Sequence, residues 1–138
     1  MSVLLVDGTN LFCTHHAANT AMDVDGNPVG GVVGFVRLLS KFVAAMTPDR
    51  VIVFFDGKHG SKKRKNLFKD YKGGRAPRTI IGRSVAFNSV EAAANNKDWQ
   101  FTHLMFLLSC LHVQVIVTDD FESDDAAAHF VRYKKVYG

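Results

Sequence analysis

Three apolar runs in this chain each stop at an acid, and no other feature constrains the fold as much. Asp7 follows Val3-Leu4-Leu5-Val6, and Asp56 follows Val51-Ile52-Val53-Phe54-Phe55. Glu122-Ser123-Asp124-Asp125 comes shortly after Val113-Gln114-Val115-Ile116-Val117. In a parallel α/β sheet the carboxyl ends of the strands share one edge, so acids placed there converge although they are far apart in sequence. A cluster of hard oxygen donors suits Mg²⁺ or Mn²⁺. A divalent ion turns the repulsion among packed carboxylates into coordination. The pattern points to metal-assisted chemistry on a phosphate ester.

Helical periodicity separates the runs. The sequence predicts a strand at about residues 2–7, a turn and helix start at Gly8-Thr9-Asn10, and a helix from Leu11 to about Ala18. Asn19 to Asn27 reads as a surface loop; its Asp23-x-Asp25-Gly26 segment lacks the later bidentate Glu of a calcium loop and is taken as a turn. Val32, Val33, Phe35, Val36, Leu39, Phe42 and Val43 recur at helical spacing, and Thr47-Pro48-Asp49 stops that helix before the second strand. A crossover of this length joins parallel strands in the right-handed sense. Ser61 is placed to cap a basic helix ending near Lys72, which Gly73-Gly74 breaks. Asn95-Asn96-Lys97-Asp98 reads as a loop before a helix from about Trp99 to Leu111, a third strand from Val113 to Thr118, and a last helix opening at Glu122. The dipole at that helix start favours acidic side chains.

The net charge of +4 is modest, but its distribution is not. Lys58, Lys62, Lys63, Arg64, Lys65, Lys69, Lys72, Arg75, Arg78 and Arg83 lie in one segment with Asp70 as its only acid. A solvated face or a localisation signal would also give such a run. This one starts directly after Asp56 and interleaves Phe68 and Tyr71 with the cations, a combination that holds backbone phosphates while a ring stacks on a base. Nucleic acid is the natural partner.

At 138 residues and 47% apolar content the chain suits one domain, residues 1–138, with a sizeable core. Cys13 and Cys110 lie in apolar helical contexts without metal-ligand spacing, and no signal-peptide pattern opens the sequence, so a reducing, cytoplasmic setting is expected. The apolar stretches are shorter than the roughly 18 residues of a membrane span, and no membrane association is expected.

Val6-Asp7-Gly8-Thr9-Asn10, Phe55-Asp56, Leu67-Phe68-Lys69-Asp70-Tyr71-Lys72-Gly73-Gly74-Arg75 and Phe121-Glu122-Ser123-Asp124-Asp125 occur in the order of the signatures of the 5′-nuclease superfamily. The chain resembles the phage flap exonucleases and the 5′-nuclease domain of bacterial DNA polymerase I from Val3 to about Val136. The resemblance implies an α/β, PIN-like three-layer domain with a central, mostly parallel sheet and a basic helical arch over about residues 58–83. It also implies metal-dependent hydrolysis of DNA phosphodiesters at 5′ ends, flaps or single-strand to duplex junctions, in replication and repair, in a bacterial or phage-infected cytoplasm. By motif, Asp7, Asp56, Glu122 and Asp124 match ligands of a first metal, and Asp125 matches one supporting a second. Lys72 and Arg75 match the basic pair that polarises the scissile phosphate. Lys62, Lys63, Arg64, Lys65, Lys69 and Tyr71 would bind the strand.

In the same family a further strand with an Asp-x-Asp motif, and later a helix-hairpin-helix element, follow the region matched here. The resemblance therefore implies a domain truncated before the second metal-site strand and a need for a C-terminal nuclease polypeptide, supplied in trans. Two other classes are compatible with the residues. One is a flap-binding or single-strand-binding module with a partial metal site. The other is an α/β domain in which Asp7 and Asp56 are turn formers and Glu122 and Asp124 cap a helix.

Overall fold

The computed structural model describes residues 1–57, 59, 66, 87–120 and 122–137. Chain order gives β1 (Val3–Asp7), α1 (Gly8–Ala18), α2 (Gly30–Met46), β2 (Arg50–Asp56), α3 (Val90–Ser109), β3 (Gln114–Thr118) and α4 (Ser123–Tyr137). The strands form a parallel sheet in the order β1-β2-β3. Leu5 pairs with Ile52 and Asp7 with Phe54, while Phe55 pairs with Val117 and Asp56 with Thr118. This register puts the acidic ends of β1 and β2 on one edge of the sheet.

Side chains alternate across a strand, so β2 serves two faces. Val51, Val53 and Phe55 join Val6, Phe12, Phe35, Leu39, Leu104 and Leu108 in a core shared with α1, α2 and α3. Phe55 lies at its centre, stacked on Phe35 at 6.1 Å and meeting the edge of Phe101 at 5.3 Å. Ile52 and Phe54 point to the opposite face and are just as deeply buried, and α4 contacts all three strands. Helices therefore cover both faces, giving the three-layer α/β arrangement expected from the sequence.

Two helix boundaries differ from the sequence expectation. α1 starts at Gly8 because the Asp7 carboxylate accepts from the Asn10 N–H at 3.0 Å, capping the helix directly at the end of the strand. α3 starts at Val90, so Asn95-Asn96-Lys97-Asp98 is helix rather than loop. Ser89 caps it through Oγ, which accepts from the Ala92 N–H at 3.0 Å. The polar residues inside α3 have distant partners. Asn96 donates to the Pro28 carbonyl, and Gln100 donates to Asn96 Oδ1. Gln100 Oε1 in turn accepts from the N–H groups of Gly31 and Val32 at 2.8 and 3.3 Å. Val29, at the start of α2, provides no side-chain cap, and Gln100 from α3 satisfies those otherwise unpaired donors.

α2 stops where Thr47 takes a left-handed conformation (φ 42°) and its N–H bonds the Val43 carbonyl. In the loop after α1, Asp23 Oδ1 accepts from the N–H groups of Asp25 and Asn27, and Gly26 has φ 82°; the segment is a turn. The helix expected from Ser61 to Lys72 lies outside the described residues.

Candidate active site

The cleft at the C-terminal edge of the sheet has a volume of about 290 Å³ and is lined by Asp7, Thr9, Asn10, Cys13, Asp56, Glu122, Ser123 and Asp124. Three separate segments build it. β1 runs into α1 with no intervening loop, so Asp7, Thr9, Asn10 and Cys13 sit on a strand end and the first turns of one helix. That junction is tight: a Cβ on Gly8 would lie 2.7 Å from the buried rings and methyls of Phe55 and Val53. β2 delivers Asp56, and the start of α4 delivers Glu122, Ser123 and Asp124.

Ser123 holds the first two carboxylates together. Its N–H donates to Asp56 Oδ1 at 2.6 Å, and its hydroxyl donates to Asp7 Oδ1 at 3.0 Å. Asp56 thus accepts from the first turn of α4, which otherwise carries unpaired N–H groups. The β2 terminus is fixed twice more. The Asp56 N–H donates to Thr9 Oγ1 at 2.8 Å, and the Gly57 N–H donates to the Thr118 carbonyl at 2.6 Å. A side chain at Gly57 would collide with that carbonyl, so the chain leaves β2 through a residue that must be small. Glu122 and Ser123 are buried, whereas Asp7, Asp56 and Asp124 are exposed at the rim.

The sequence-predicted acids Asp7, Asp56, Glu122 and Asp124 are brought to one cleft. Asp125 is partly buried in the first turn of α4 and does not line it. Lys62, Lys63, Arg64, Lys65, Lys69, Tyr71, Lys72 and Arg75 lie outside the described residues. Within the Glu122-Ser123-Asp124-Asp125 run the sequence assigns Ser123 no role of its own, and it does not single out Thr9, Asn10 or Cys13 for the site. The signal for Thr9 and Asn10 was their position directly after a strand-end acid.

As they stand, no three His, Cys, Asp or Glu side chains among the described residues are grouped to hold a metal ion. The donor set nevertheless has the chemistry of a hard-cation site. Four carboxylates face one polar cleft, and the hydrogen bonds on Asp7 and Asp56 run through Oδ1, leaving Oδ2 of each for a ligand bond.

Residues 2–137 match the family described as 5′-3′ exonuclease, N-terminal resolvase-like domain. The chain belongs to this family. DNA polymerase I of Caldicellulosiruptor bescii is 24% identical over 139 residues, covering 100% of this chain and 14% of that protein. The flap endonuclease Xni of Shewanella denitrificans is 38% identical over 77 residues, covering 55% of this chain and 29% of the relative. Among solved structures, the bacteriophage T5 D15 protein co-crystallised with metal ions superposes with a TM-score of 0.66 at 18% identity, covering 96% of this chain and 43% of that one. A T5 D15 flap endonuclease complex with DNA and metal ions gives 0.66 at 20% identity, covering 96% and 44%. The chain thus spans about one seventh of the polymerase relative and under half of the phage nuclease. The 5′-3′ exonuclease family domain has the sheet and cleft described above, and no helix of its described residues is long and apolar enough to cross a membrane.

Proposed function

We propose that this 5′-3′ exonuclease domain carries the first carboxylate set of a divalent-metal-dependent nuclease that cuts DNA near 5′ ends, flaps or single-strand to duplex junctions. One observation carries the reading: Ser123 ties Asp7 and Asp56 together in a cleft that also receives Glu122 and Asp124. Carboxylates used only as caps need not converge. A Mg²⁺ or Mn²⁺ ion held by Asp7, Asp56, Glu122 and Asp124, with Asp125 supporting a second, would activate water and neutralise charge developing on the phosphate.

The residues themselves do the positioning. Buried Glu122 lines the wall of the cleft, and the Ser123 bonds restrict where the Asp7 and Asp56 carboxylates can turn. Lys72 and Arg75 are assigned to the scissile phosphate, and Lys62, Lys63, Arg64, Lys65, Lys69 and Tyr71 to the strand. Further nuclease sequence, continuous with this chain or supplied in trans by a C-terminal polypeptide, is assigned to complete the second metal site. Replication and repair in a bacterial or phage-infected cytoplasm is the setting that suits such a nuclease.

A second reading, a flap-binding module without turnover, is favoured by the absence of a grouped three-ligand set among the described residues. Cleavage of a labelled 5′-flap DNA with Mg²⁺ or Mn²⁺, beside Asp56→Ala and Lys72→Ala, separates the two. Turnover lost in both variants supports the nuclease. Tight binding with no turnover, even after a C-terminal nuclease segment is added, supports the module.

A further inference from the structure

The cleft has two chemically different walls. Asp7, Asp56, Glu122 and Asp124 are anionic, whereas the α1 side presents Thr9, Asn10 and Cys13 without charge. A phosphodiester entering an acidic cleft needs donors as well as metal. Most donors among the described lining residues are engaged: the Ser123 N–H and hydroxyl on Asp56 and Asp7, and the Asn10 N–H on Asp7. Thr9 Oγ1 accepts from the Asp56 N–H, so that hydroxyl sits against the end of β2 while keeping its own proton to donate. The Asn10 carboxamide is different. It is exposed and makes no hydrogen bond among the described residues, while its backbone is fixed by the cap on Asp7.

Resting on the nuclease reading above, we propose that Asn10 is a positioning residue whose side-chain amide donates to a non-bridging oxygen of the phosphodiester drawn into the cleft. Cys13, one turn further along α1 on the same wall, then lies beside the bound strand. An amide suits this place because it supplies N–H donors without a cation that would compete for the carboxylates. Asp at the same position would keep the shape, remove the donors and repel the phosphate.

The two cysteines provide a readout independent of turnover. Both are free; Cys13 lines the cleft, and Cys110, at the end of α3, is exposed and not part of it. Alkylation of each thiol in the full chain is followed by mass spectrometry with and without a 5′-phosphorylated single-stranded DNA, with Ca²⁺ replacing Mg²⁺. Fluorescence anisotropy reports how much DNA is bound. Bound DNA is expected to slow Cys13 about tenfold and leave Cys110 unchanged. Asn10→Ala and Asn10→Asp should lose most of that protection while DNA remains bound through the basic segment, since one hydrogen bond to a charged group is worth roughly tenfold in occupancy. An unchanged rate in the DNA-free variants for Cys13, a thiol that the fold partly buries, shows that the fold is retained. Equal Cys13 protection in wild type and both variants, or no protection although DNA is bound, overturns the proposal. Failure of the wild-type chain to bind DNA removes the nuclease reading itself, and the role of Asn10 with it.

Discussion

The backbone N–H of Ser123 lies 2.6 Å from Oδ1 of Asp56, so the first residue of α4 is fastened to the end of a strand 67 positions earlier. The Ser123 hydroxyl extends the link to Asp7. One residue therefore sets the spacing between two carboxylates from different strands, and changing it separates the backbone part of that link from the side-chain part.

Ser123→Ala removes only the bond to Asp7. It should cost about 1 kcal/mol, less than a buried charge-assisted bond because Asp7 is exposed. Ser123→Pro, at a first helical position that tolerates proline, also removes the N–H to Asp56. Mn²⁺ affinity measured by titration calorimetry should fall in the order wild type, Ser123→Ala, Ser123→Pro. Equal affinities for all three would show that Ser123 does not organise the carboxylates.

Gln100 is fully buried and accepts from the start of α2. Gln100→Leu leaves the Gly31 and Val32 N–H groups without an acceptor and should destabilise the chain by roughly 2–4 kcal/mol. Gln100→Glu keeps the acceptor oxygen but loses the donor to Asn96 Oδ1 and buries a charge, and should cost at least as much. Urea unfolding gives both values; a leucine variant as stable as wild type contradicts the capping role.

His16 packs against Phe12 at 5.9 Å, and burial followed by the nearby charge of Lys97 lowers its pKa from 6.5, although a hydrogen bond with Asn96 acts the other way. The unfolded chain then binds this proton more readily than the folded one. Stability should therefore be full above about pH 6.5 and fall as the pH drops through that value toward the lower folded pKa. Urea midpoints compared between about pH 7.5 and pH 5 should show the loss, and His16→Gln should flatten that part of the profile. A profile identical to wild type would assign the pH dependence elsewhere.

Thr47 ends α2 with a positive φ that a β-branched residue adopts at a cost of roughly 1–2 kcal/mol. Thr47→Gly should raise stability by about 1 kcal/mol, less than the full strain because glycine also gains freedom in the unfolded chain. Thermal denaturation tests this; a lower melting temperature would mean that the threonine side chain makes a compensating contact.

The strands were legible because each is a short apolar run, broken only by Gln114 in the third, with acids at or shortly after its end, and Asp7, Asp56, Glu122 and Asp124 could be assigned to one edge on that basis. The first half of α3 was not legible. Asn95, Asn96, Lys97 and Asp98 look like a loop until Asn96 and Gln100 are seen to bond Pro28, Gly31 and Val32, partners 68 or 69 residues away. Local pattern carries no trace of such pairings. The role of Ser123 was hidden for the same reason: it depends on the register of β1 against β2 and on where α4 starts. The basic residues assigned to DNA, from Lys62 to Arg75, lie outside the described residues.

The bond between Ser123 and Asp7 closes a span of 116 residues, and closing so long a span is entropically costly until the intervening elements have packed. During synthesis β1 leaves the ribosome far ahead of α4. A nascent chain therefore carries Asp7 through the next 116 positions, and Asp56 through the next 67, without the residue that brings them together. Assembly of the cleft is tied to α4, so the two carboxylates come together in one step when that helix docks rather than strand by strand.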